Sequence, residues 1–366
     1  MKFDCVIAGA GPSACACALI LRQAGLSVCL VAPESEVASE FSVGESLPGA
    51  AIALLNRMGI RCLSDILSPL QVSACTGNAS SWGSNIWHRN DAVQNPQGGG
   101  WHIDRTAFNR ALINYVEQSG VMRFKSKLAN AMFDSSWKIS LENTTAVLDS
   151  RFLLDATGRA SVVSRLVGFK KQYIDSQTAV VAWLESAKDD KEQLTRIKAV
   201  HDGWWYSARL PILSKNGLPV RVVAKFSLPK TAKQTNHEAQ FLDELNESNL
   251  LPVRWHAKQM LAPLQLKDAS VSRLVQFSDA QKGFLAIGDA VLSFDPLSSQ
   301  GMFFALYSGV KAAENVLFNH DKLNNDFTDY DRTIESVFHA NQKSRKLYYA
   351  SEHRFADSAF WRTKFA

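Results

Sequence analysis

The sequence predicts an α/β fold in which strand–helix units near the two ends of the chain enclose an antiparallel sheet. Near the N-terminus, an apolar run, a glycine-containing turn, an apolar helix and a second apolar run follow one another within residues 2–31. Late in the chain, another apolar strand leads into a long apolar helix, over residues 283–317. Between them, at about residues 175–275, strand-like runs follow one another with one short helix, at residues 241–246. Alternating strands and helices indicate parallel pairing, and successive strands indicate antiparallel pairing.

Composition bounds the class of protein. The chain has 366 residues, of which 46% are hydrophobic and 20% charged, as is typical of a globular protein with a sizeable core. The net charge of +5 includes no run of five Lys or Arg, so it favours anionic phosphates or an acidic partner over nucleic acid. No apolar run reaches about 18 residues, and the first strand leaves no room for a signal peptide. We therefore expect a cytoplasmic protein without a nucleic-acid or membrane partner.

The cysteines argue against a metal site. All six lie within the first 75 residues, and Cys15 and Cys17 would point to two sides of a helix, which suits no zinc site. We expect no metal, and cysteines that behave as small buried hydrophobic residues in a reducing compartment.

The N-terminal turn predicts a dinucleotide site. In Gly9-Ala10-Gly11-Pro12-Ser13-Ala14, Gly9 allows a tight turn, Gly11 lets backbone N–H groups approach a pyrophosphate, and Ala14 lets helix and strand pack closely. Pro12 and Ser13 open the helix, whose N-terminus then faces an anion. The alternative is a tight turn that binds nothing. The acid expected to bind the ribose is displaced by about two residues, to Glu34.

Loops that follow strands or open helices supply further candidates. Glu45 and Ser46 lie in a glycine-bracketed loop before an apolar helix at residues 50–58, where Glu45 could instead be a first-turn acid favoured by the helix dipole. Arg105 begins a helix predicted over residues 106–118 and could reach a phosphate. Strands between residues 123 and 154 end at Asp155-Ala156-Thr157-Gly158, which offers backbone close to a ligand.

The middle of the chain is rich in aromatic residues. Trp204 and Trp205 lie in one of its predicted strands, over residues 203–211, and favour a flat apolar ligand. Either tryptophan could equally belong to the core of the sheet.

Three separated signatures together resemble the FAD-binding pattern of the flavoprotein monooxygenases related to p-hydroxybenzoate hydroxylase. They are Gly9-x-Gly11-x-x-Ala14, Asp155-Ala156-Thr157-Gly158, and Gly288-Asp289 followed by Asp295-Pro296. The resemblance implies FAD as cofactor, held by a Rossmann-like domain of the glutathione-reductase type over residues 1–75, 101–174 and 275–325. Residues 76–100 and 175–274 are then a substrate domain, and residues 326–366 a C-terminal helical segment with an amphipathic helix at 326–353.

The same resemblance assigns roles around the late helix. Asp289 would bind the ribityl hydroxyls, and the backbone after Pro296 would face the flavin pyrimidine ring. Reduction leaves negative charge on that ring, which the N–H groups of Ser299, Gln300, Gly301 and Met302 at a helix N-terminus would stabilise. The displaced Glu34 and the absence of an arginine from residue 23 to 56 predict weak retention of FAD.

Other segments indicate which group of these FAD-binding enzymes the chain resembles most. Val43-Gly44-Glu45-Ser46 and the strand at 204–211 look like those of the tryptophan halogenases, whose strand reads Trp-x-Trp-x-Ile-Pro; here the second tryptophan is adjacent and Leu210 replaces the isoleucine. Those halogenases need a lysine shortly after the Gly-Glu loop, and this chain has none between Lys2 and Lys125, which disfavours halogenation. Residues 44–51, 100–105 and 295–301 resemble more closely the LodB-like flavoproteins.

That resemblance implies a function. Such proteins help convert a tryptophan of a precursor amine or amino-acid oxidase into a quinone cofactor, which is cysteine tryptophylquinone in the glycine-oxidase branch. The hypothesis is an FAD enzyme that oxidises or oxygenates a peptidyl tryptophan, with Trp204 and Trp205 as walls and Glu45 or His102 moving protons. A nicotinamide donor, if used, would dock transiently, because no second nucleotide-binding domain is visible.

Two other classes of function remain open from the sequence. One is an FAD-dependent hydroxylase or halogenase of a small aromatic metabolite, and the other is a flavoprotein chaperone that binds the precursor without catalysis. Basic residues on the last helix could meet a precursor or simply form a solvated face: Arg332, Lys343, Arg345 and Lys346.

Overall fold

Two large β-sheets carry most of the chain in the computed structural model, which describes residues 1–34, 41–94, 99–255 and 260–365. The strands are β1 (Lys2–Ala8), β2 (Val28–Val31), β3 (Ser46–Leu47), β4 (Val72–Cys75), β5 (Gly77–Ser81), β6 (His88–Asp91), β7 (Gly100–Ile103), β8 (Met122–Phe124), β9 (Leu128–Asp134), β10 (Ser136–Leu141), β11 (Val147–Asp155), β12 (Lys171–Tyr173), β13 (Thr178–Glu185), β14 (Leu194–Val200), β15 (Gly203–Leu213), β16 (Pro219–Ser227), β17 (Gln265–Asp268), β18 (Ser272–Leu274), β19 (Ser278–Asp279), β20 (Phe284–Ala286) and β21 (Leu292–Ser293). The helices are α1 (Pro12–Gln23), α2 (Ala51–Arg57), α3 (Arg105–Gln118), α4 (Val162–Leu166), α5 (Pro229–Thr235), α6 (Glu238–Glu247), α7 (Gly301–Asn319), α8 (Thr328–Ala350) and α9 (Ala359–Phe365).

The first large sheet is parallel at its centre. Its order is β19-β20-β11-β1-β2-β8, with the β9–β10 hairpin attached to β11. Strand β1 pairs in parallel with β2 and β11, and β11 pairs in parallel with β20. Strand β2 is buried along its whole length, which explains why it reads as a continuous apolar run. The predicted α/β fold is confirmed.

The second large sheet is mainly antiparallel. Its order is β17-β13-β16-β15-β14-β5-β6, in which only β5 and β14 pair in parallel among the described strands. Because side chains alternate along a strand, Trp183, Trp204 and Val222 pack in one apolar cluster and Val180, Trp205 and Val223 in another. Its strands come from residues 77–91 and 178–268, inside the segments predicted as the substrate domain. The exact boundaries stay predictions, and residues 95–98 lie outside the described residues.

Two shorter sheets join these layers to the site. Strands β3, β7 and β4 form one, which holds the loop around Glu45 against residues 100–103. Strands β12, β18 and β21 form the other, just before the turn that opens α7.

Helix α1 near the start of the chain packs closely against the late segment that contains Gly288 and α7. A Cβ added at Gly309 of α7 would lie 2.3 Å from the carbonyl oxygen of Ser13, and one at Gly288 would lie 2.6 Å from the Ser13 hydroxyl. Only glycine, which has no side chain, fits at these positions, so the N-terminal turn is in direct contact with the late segment. The structure thus brings together the two glycine-containing regions that the sequence analysis singled out.

The C-terminal segment is two helices rather than one. Helix α8 ends at Ala350, and α9 turns back so that Trp361 packs edge-on against Trp82 and Tyr349, with ring centroids 5.2 and 5.9 Å apart. No helix in the described ranges is long and apolar enough to cross a membrane.

Candidate active site

A cavity of about 410 Å³, here called the first cavity, lies between the two large sheets. Its floor is the apolar face of the second sheet, including Val181, Val222 and Phe226. The predicted site residues that line it are Gly11, Pro12, Ser13, Glu45, Ser46, Arg105, Gly158, Trp204, Asp289, Pro296, Ser299, Gln300, Gly301 and Met302.

Two helix N-termini point their unpaired N–H groups at this cavity. Helix α1 starts after Gly11 and α7 starts after Gln300; neither has a side-chain cap or an acid in its first turn. The N–H groups of a first helical turn have no partner within the helix, and the helix dipole makes them attractive to anions. One wall therefore suits a phosphate and another suits developing negative charge.

Gly9 and Gly11 of the N-terminal turn are required for different structural reasons. Gly9 has a φ of +120°, and an added Cβ would lie 2.3 Å from the carbonyl oxygen of Ala156, so its side packs against the end of β11. At Gly11 nothing lies within 4 Å of an added Cβ, because that side opens into the first cavity. This open space next to unpaired N–H groups fits a pyrophosphate.

Asp289 faces the cavity with its acceptors free. Its carboxylate lies 3.8 Å from the guanidinium of Arg159, and no described residue donates a hydrogen bond to its side chain. Burial raises the pKa of Asp289, while Arg159, Arg105 and Lys171 act in the opposite direction. Free carboxylate oxygens are what a polyhydroxylated chain requires. Arg159, which itself donates to the carbonyl oxygens of Ser270 and Phe294, was not among the predicted site residues.

Glu45 is a buried acid at the cavity wall. It accepts hydrogen bonds from the Tyr206 hydroxyl and, at 3.1 Å, from the N–H of Gly44. Burial raises the pKa of Glu45. The hydrogen bond from Tyr206 lowers this pKa and offsets part of the rise. Arg105 donates to the carbonyl oxygen of Gly44 at 3.3 Å, and burial lowers its pKa to about 10, so it stays a cation near neutral pH. The arrangement can hold or accept a proton beside the cavity.

Tyr206 is a site residue that the sequence analysis missed. It lies two positions after Trp204 on β15, and both line the first cavity. Side chains two apart on a strand share a face, so the period of the strand, applied to Trp204, could have found Tyr206.

Trp205, by the same alternation, is on the wrong face to be a wall. It packs edge-on against Phe241 at 5.1 Å, in the apolar layer under α6. The expectation that both tryptophans wall the cavity is therefore wrong for Trp205.

His102 is buried away from the cavity. It lies on β7, with its Nε2 3.1 Å from the hydroxyl of Thr195. Burial lowers its pKa to about 4, with Arg221 acting in the same direction. A neutral imidazole that does not line the cavity does not fit the predicted role as a proton shuttle.

Asp155 and Glu34 are also engaged elsewhere. The Asp155 carboxylate accepts from the N–H and hydroxyl of both Thr157 and Ser164, at 2.6–2.9 Å, so it orders the turn and leaves Gly158 to line the cavity. Glu34 is exposed and pairs with Lys125 at 2.8 Å.

Gly9, Ala14 and Gly288 shape the turns without lining the cavity. Weak retention of FAD stays a prediction.

A second cavity, of about 800 Å³, lies behind the turn before α7. It shares Phe294, Asp295, Ser299 and Gln300 with the first cavity, so this turn is a common wall. Its other walls are one face of β5 and β6, the aromatic side chains of α7, and one face of α8.

A buried ionic network holds the common wall. Asp295 accepts from the N–H of Leu297 and pairs with Arg345 of α8 at 3.1 Å. Arg345 also pairs with Asp175 at 2.5 Å, and Lys364 of α9 pairs with the same carboxylate at 2.7 Å. Arg345 is thus buried in the protein and does not face a partner as predicted. Arg332, Lys343 and Lys346 are exposed.

Comparison with known proteins places these features in context. The family model described as "Tryptophan halogenase" matches residues 68–365. The chain is 24% identical over 380 residues to the "Putative FAD-dependent oxidoreductase LodB" of Marinomonas mediterranea, covering 100% of this chain and 97% of that protein. It is 22% identical over 329 residues to the "Tryptophan 2-halogenase" of Chondromyces crocatus, covering 85% of this chain and 60% of that protein.

Solved structures share the fold. The flavin-dependent halogenase CmlS superposes with a TM-score of 0.83 at 20% identity, over 100% of this chain and 68% of that one. The peptidyl tryptophan dihydroxylase QhpG, described as essential for tryptophylquinone cofactor biogenesis, superposes with a TM-score of 0.73 at 19% identity, over 100% of this chain and 79% of that one.

Proposed function

The chain belongs to the tryptophan halogenase family, and from that premise we propose that it is an FAD-dependent oxidoreductase that modifies a tryptophan side chain within a precursor oxidase. The product is a protein-derived quinone, cysteine tryptophylquinone. Support comes from the full-length similarity to LodB and from the fold shared with QhpG, a peptidyl tryptophan dihydroxylase.

The residues of the first cavity fit FAD. Bound FAD would supply the two-electron redox chemistry of the reaction. Gly11, Pro12 and Ser13 would hold the pyrophosphate at the N-terminus of α1. Asp289 would accept hydrogen bonds from the ribityl hydroxyls, and the N–H groups of Gly301 and Met302, which open α7, would stabilise negative charge on the ring. The N–H groups of Ser299 and Gln300, predicted for the same role, donate instead to the carbonyl oxygen of Pro296 and the hydroxyl of Ser298.

The observation that carries the proposal is the proton-handling group at the first cavity. It is a buried carboxylate, Glu45, hydrogen-bonded to Tyr206, with a pKa raised by burial. Oxidising an indole requires a group that takes up its protons, and a carboxylate poised towards neutral pH suits this task. Among the described residues that line the two cavities, Lys267 on the edge strand β17 is the one lysine.

The redox balance allows two routes. In an oxygenation, one atom of O₂ would enter the indole and the other would leave as water, with a hydride, which carries two electrons and one proton, supplied by a transiently docked nicotinamide donor and the second proton supplied by solvent. In an oxidation, the indole would lose two electrons and two protons; bound FAD would supply the electron acceptor, and Glu45 and solvent would take the protons. In both routes Glu45, which lines the first cavity, is the residue that would handle a proton of the indole.

Co-expression with a candidate precursor oxidase tests the proposal. We expect the precursor to gain quinone staining and the mass change of the mature cofactor with the wild-type protein. A flavin-deficient variant such as Asp289→Ala should give neither. Mature quinone formed with the flavin-deficient variant would instead favour the chaperone role.

A second candidate, halogenation or hydroxylation of a small aromatic metabolite, rests on Lys267. This lysine lines the floor of the first cavity, and several halogenases are among the relatives. Turnover of free tryptophan with chloride or bromide that Lys267→Ala abolishes would favour it over the proposed function.

A further inference from the structure

The second cavity runs as a groove along α8, and we propose that it binds an extended segment of the partner polypeptide. About six residues of that segment would lie in the groove, with the side chain of its tryptophan directed past the shared wall towards the first cavity, where Glu45 lies. This inference rests on the proposed function in one respect: the substrate is part of a polypeptide.

The length of the groove argues for a polypeptide. Residues of α8 from Val337 to Tyr348 line it at intervals of three and four, and Ser351 continues the line. At 1.5 Å per residue this stretch is about 21 Å long. An extended chain advances about 3.3 Å per residue, so the groove accommodates about six residues, far more than one free amino acid.

The charges along the groove favour an internal segment of a polypeptide over a free amino acid. The carboxylate of Asp295 and the guanidinium of Arg345 form an ion pair with each other at 3.1 Å. Apart from His88, the other described residues of the lining are neutral polar or apolar. A free amino acid brings an ammonium and a carboxylate, and burying them without counter-charges is costly. A peptide segment brings only neutral amides.

The polar groups of the groove match an extended backbone. Asn78 and Ser80 of β5 stand opposite Asn90 and His88 of β6, so four polar side chains form one face of the sheet. Across the groove, Asn341 of α8 also lines the cavity. Amides on both sides of an extended chain can pair with its N–H and C=O groups.

Aromatic side chains along the groove suit a tryptophan. Phe303 and Tyr307 of α7 are stacked on each other, and the ring of Trp82 lies 6.5 Å from that of Trp204, which lines the first cavity. Ser299 and Gln300 face both cavities. A tryptophan beside these two residues would therefore lie at the passage between the groove and the first cavity.

Peptide binding to the flavin-loaded protein tests the groove without requiring turnover. The probes are fluorescein-labelled, acetylated and amidated tri-, hexa- and nonapeptides with one central tryptophan and serine–alanine flanks, with N-acetyltryptophanamide as competitor. We compare the wild type with Ser344→Trp and Ala340→Trp, which fill the groove at adjacent turns of α8. The matched control is Lys346→Trp, an exposed position outside the groove lining on the same helix. Far-UV circular dichroism and flavin absorbance check that each variant folds and holds its cofactor.

We expect the hexapeptide and nonapeptide to bind with similar affinity, and the tripeptide and N-acetyltryptophanamide about tenfold or more weakly. Both groove-filling variants should weaken hexapeptide binding about tenfold or more, and Lys346→Trp should leave it unchanged. The proposal is overturned if the wild type binds no peptide, if the single-residue amide binds as well as the hexapeptide, or if both groove-filling variants bind like the wild type.

Co-expression separates this inference from the proposed function. If Ser344→Trp and Ala340→Trp mature a precursor oxidase as well as the wild type does, the groove proposal fails and the proposed function stands. If peptides bind in the groove and no precursor is modified by the wild type, the proposed function fails and the groove stands.

Discussion

At the scale of single residues, Glu45 shows how the fold prepares a common side chain for chemistry. Its carboxyl group is removed from water, which raises its pKa, and Tyr206 partly compensates by donating a hydrogen bond. A proton acceptor works best when its pKa lies near the working pH, because it is then both available and basic. Removing either residue should therefore change the pH dependence of the reaction as well as its rate.

We expect Glu45→Gln to lower kcat for quinone formation about 100-fold or more, the usual contribution of a general base. FAD content should not change. Wild-type activity should fall with decreasing pH through a midpoint above the ordinary glutamate value, and Glu45→Gln should lack this limb. Tyr206→Phe should move the midpoint to higher pH, because the Tyr206 hydrogen bond lowers the pKa of Glu45. An unchanged profile in Glu45→Gln would remove Glu45 from the mechanism.

Stability should respond to Glu45 with a definite sign. A carboxyl group whose pKa is raised on folding stabilises the folded state below its unfolded pKa, and this contribution is lost as pH rises through the folded pKa. Glu45→Gln should therefore match the wild type in Tm at low pH and exceed it at neutral pH. A lower Tm than the wild type at neutral pH would contradict this account.

Asp155 and Asp289 form a matched pair of acids with opposite roles. Asp155→Asn replaces a carboxylate that accepts four hydrogen bonds by an amide whose NH₂ group cannot accept them. It should lower the free energy of unfolding by about 1–3 kcal/mol. Asp289 accepts no hydrogen bond from the described residues and burial raises its pKa, so Asp289→Asn should not lower the Tm of the flavin-free protein, and it should weaken FAD binding about tenfold. Thermal unfolding of the flavin-free protein and titration with FAD measure the two effects. Equal losses of stability in both variants would mean that Asp289 is structural.

At the scale of elements, the C-terminal helices brace the wall between the cavities. Arg345 of α8 joins Asp295 in that wall to Asp175 beside the second sheet, and Lys364 of α9 reinforces Asp175. Burial alone would raise the pKa of Asp175, but Lys364 and Arg345 hold it below its ordinary value. The stability that this acid contributes is present above its unfolded pKa and is lost as pH falls through its folded pKa.

We expect Arg345→Met to cost about 3–5 kcal/mol in the free energy of unfolding, because it leaves the Asp295 carboxylate buried without its cation. The loss should be largest at neutral pH and shrink in acid, as the Asp175 carboxylate becomes protonated. Lys346→Met, at the next and exposed position, is the control and should change the stability little. Chemical denaturation at several pH values measures both; similar curves for the two variants would show that the network does not brace the wall.

The elements also show what local sequence can and cannot predict. Strands, helices and the faces of β15 follow from periodicity, which is local, and Tyr206 was available to the same argument as Trp204. The position of Arg345 was not, because its partners Asp175 and Asp295 are far away in the chain. The predictions for His102 and Glu34 failed for a related reason. Both were chosen from the motifs around them in the sequence, whereas the burial of His102 and the ion pair between Glu34 and Lys125 depend on tertiary packing.

At the scale of the whole molecule, the site depends on the close approach of segments almost 300 residues apart. Ser13, which lines the first cavity, lies against Gly288 and Gly309, and both contacts require the absence of a side chain. The unpaired N–H groups at the start of α1 and the carboxylate of Asp289 reach the same cavity only because these contacts close. Packing deep in α7 should therefore control binding at the N-terminal turn.

Gly309→Ala tests this coupling at a distance from the cavity. An added Cβ would lie 2.3 Å from the Ser13 carbonyl oxygen, so α1 and α7 must separate. Alanine favours a helix by up to about 1 kcal/mol over glycine, yet overpacking of this kind costs about 1–3 kcal/mol, so a net loss of stability is expected. Displacing Ser13 should also weaken FAD binding about tenfold, which titration of the flavin-free protein measures. Phe318→Ala, at an exposed position on the same helix, should change neither property. If Gly309→Ala binds FAD as the wild type does, the turn at Ser13 is set by β1 and β11 alone, and α7 contributes only its own N-terminus to the site.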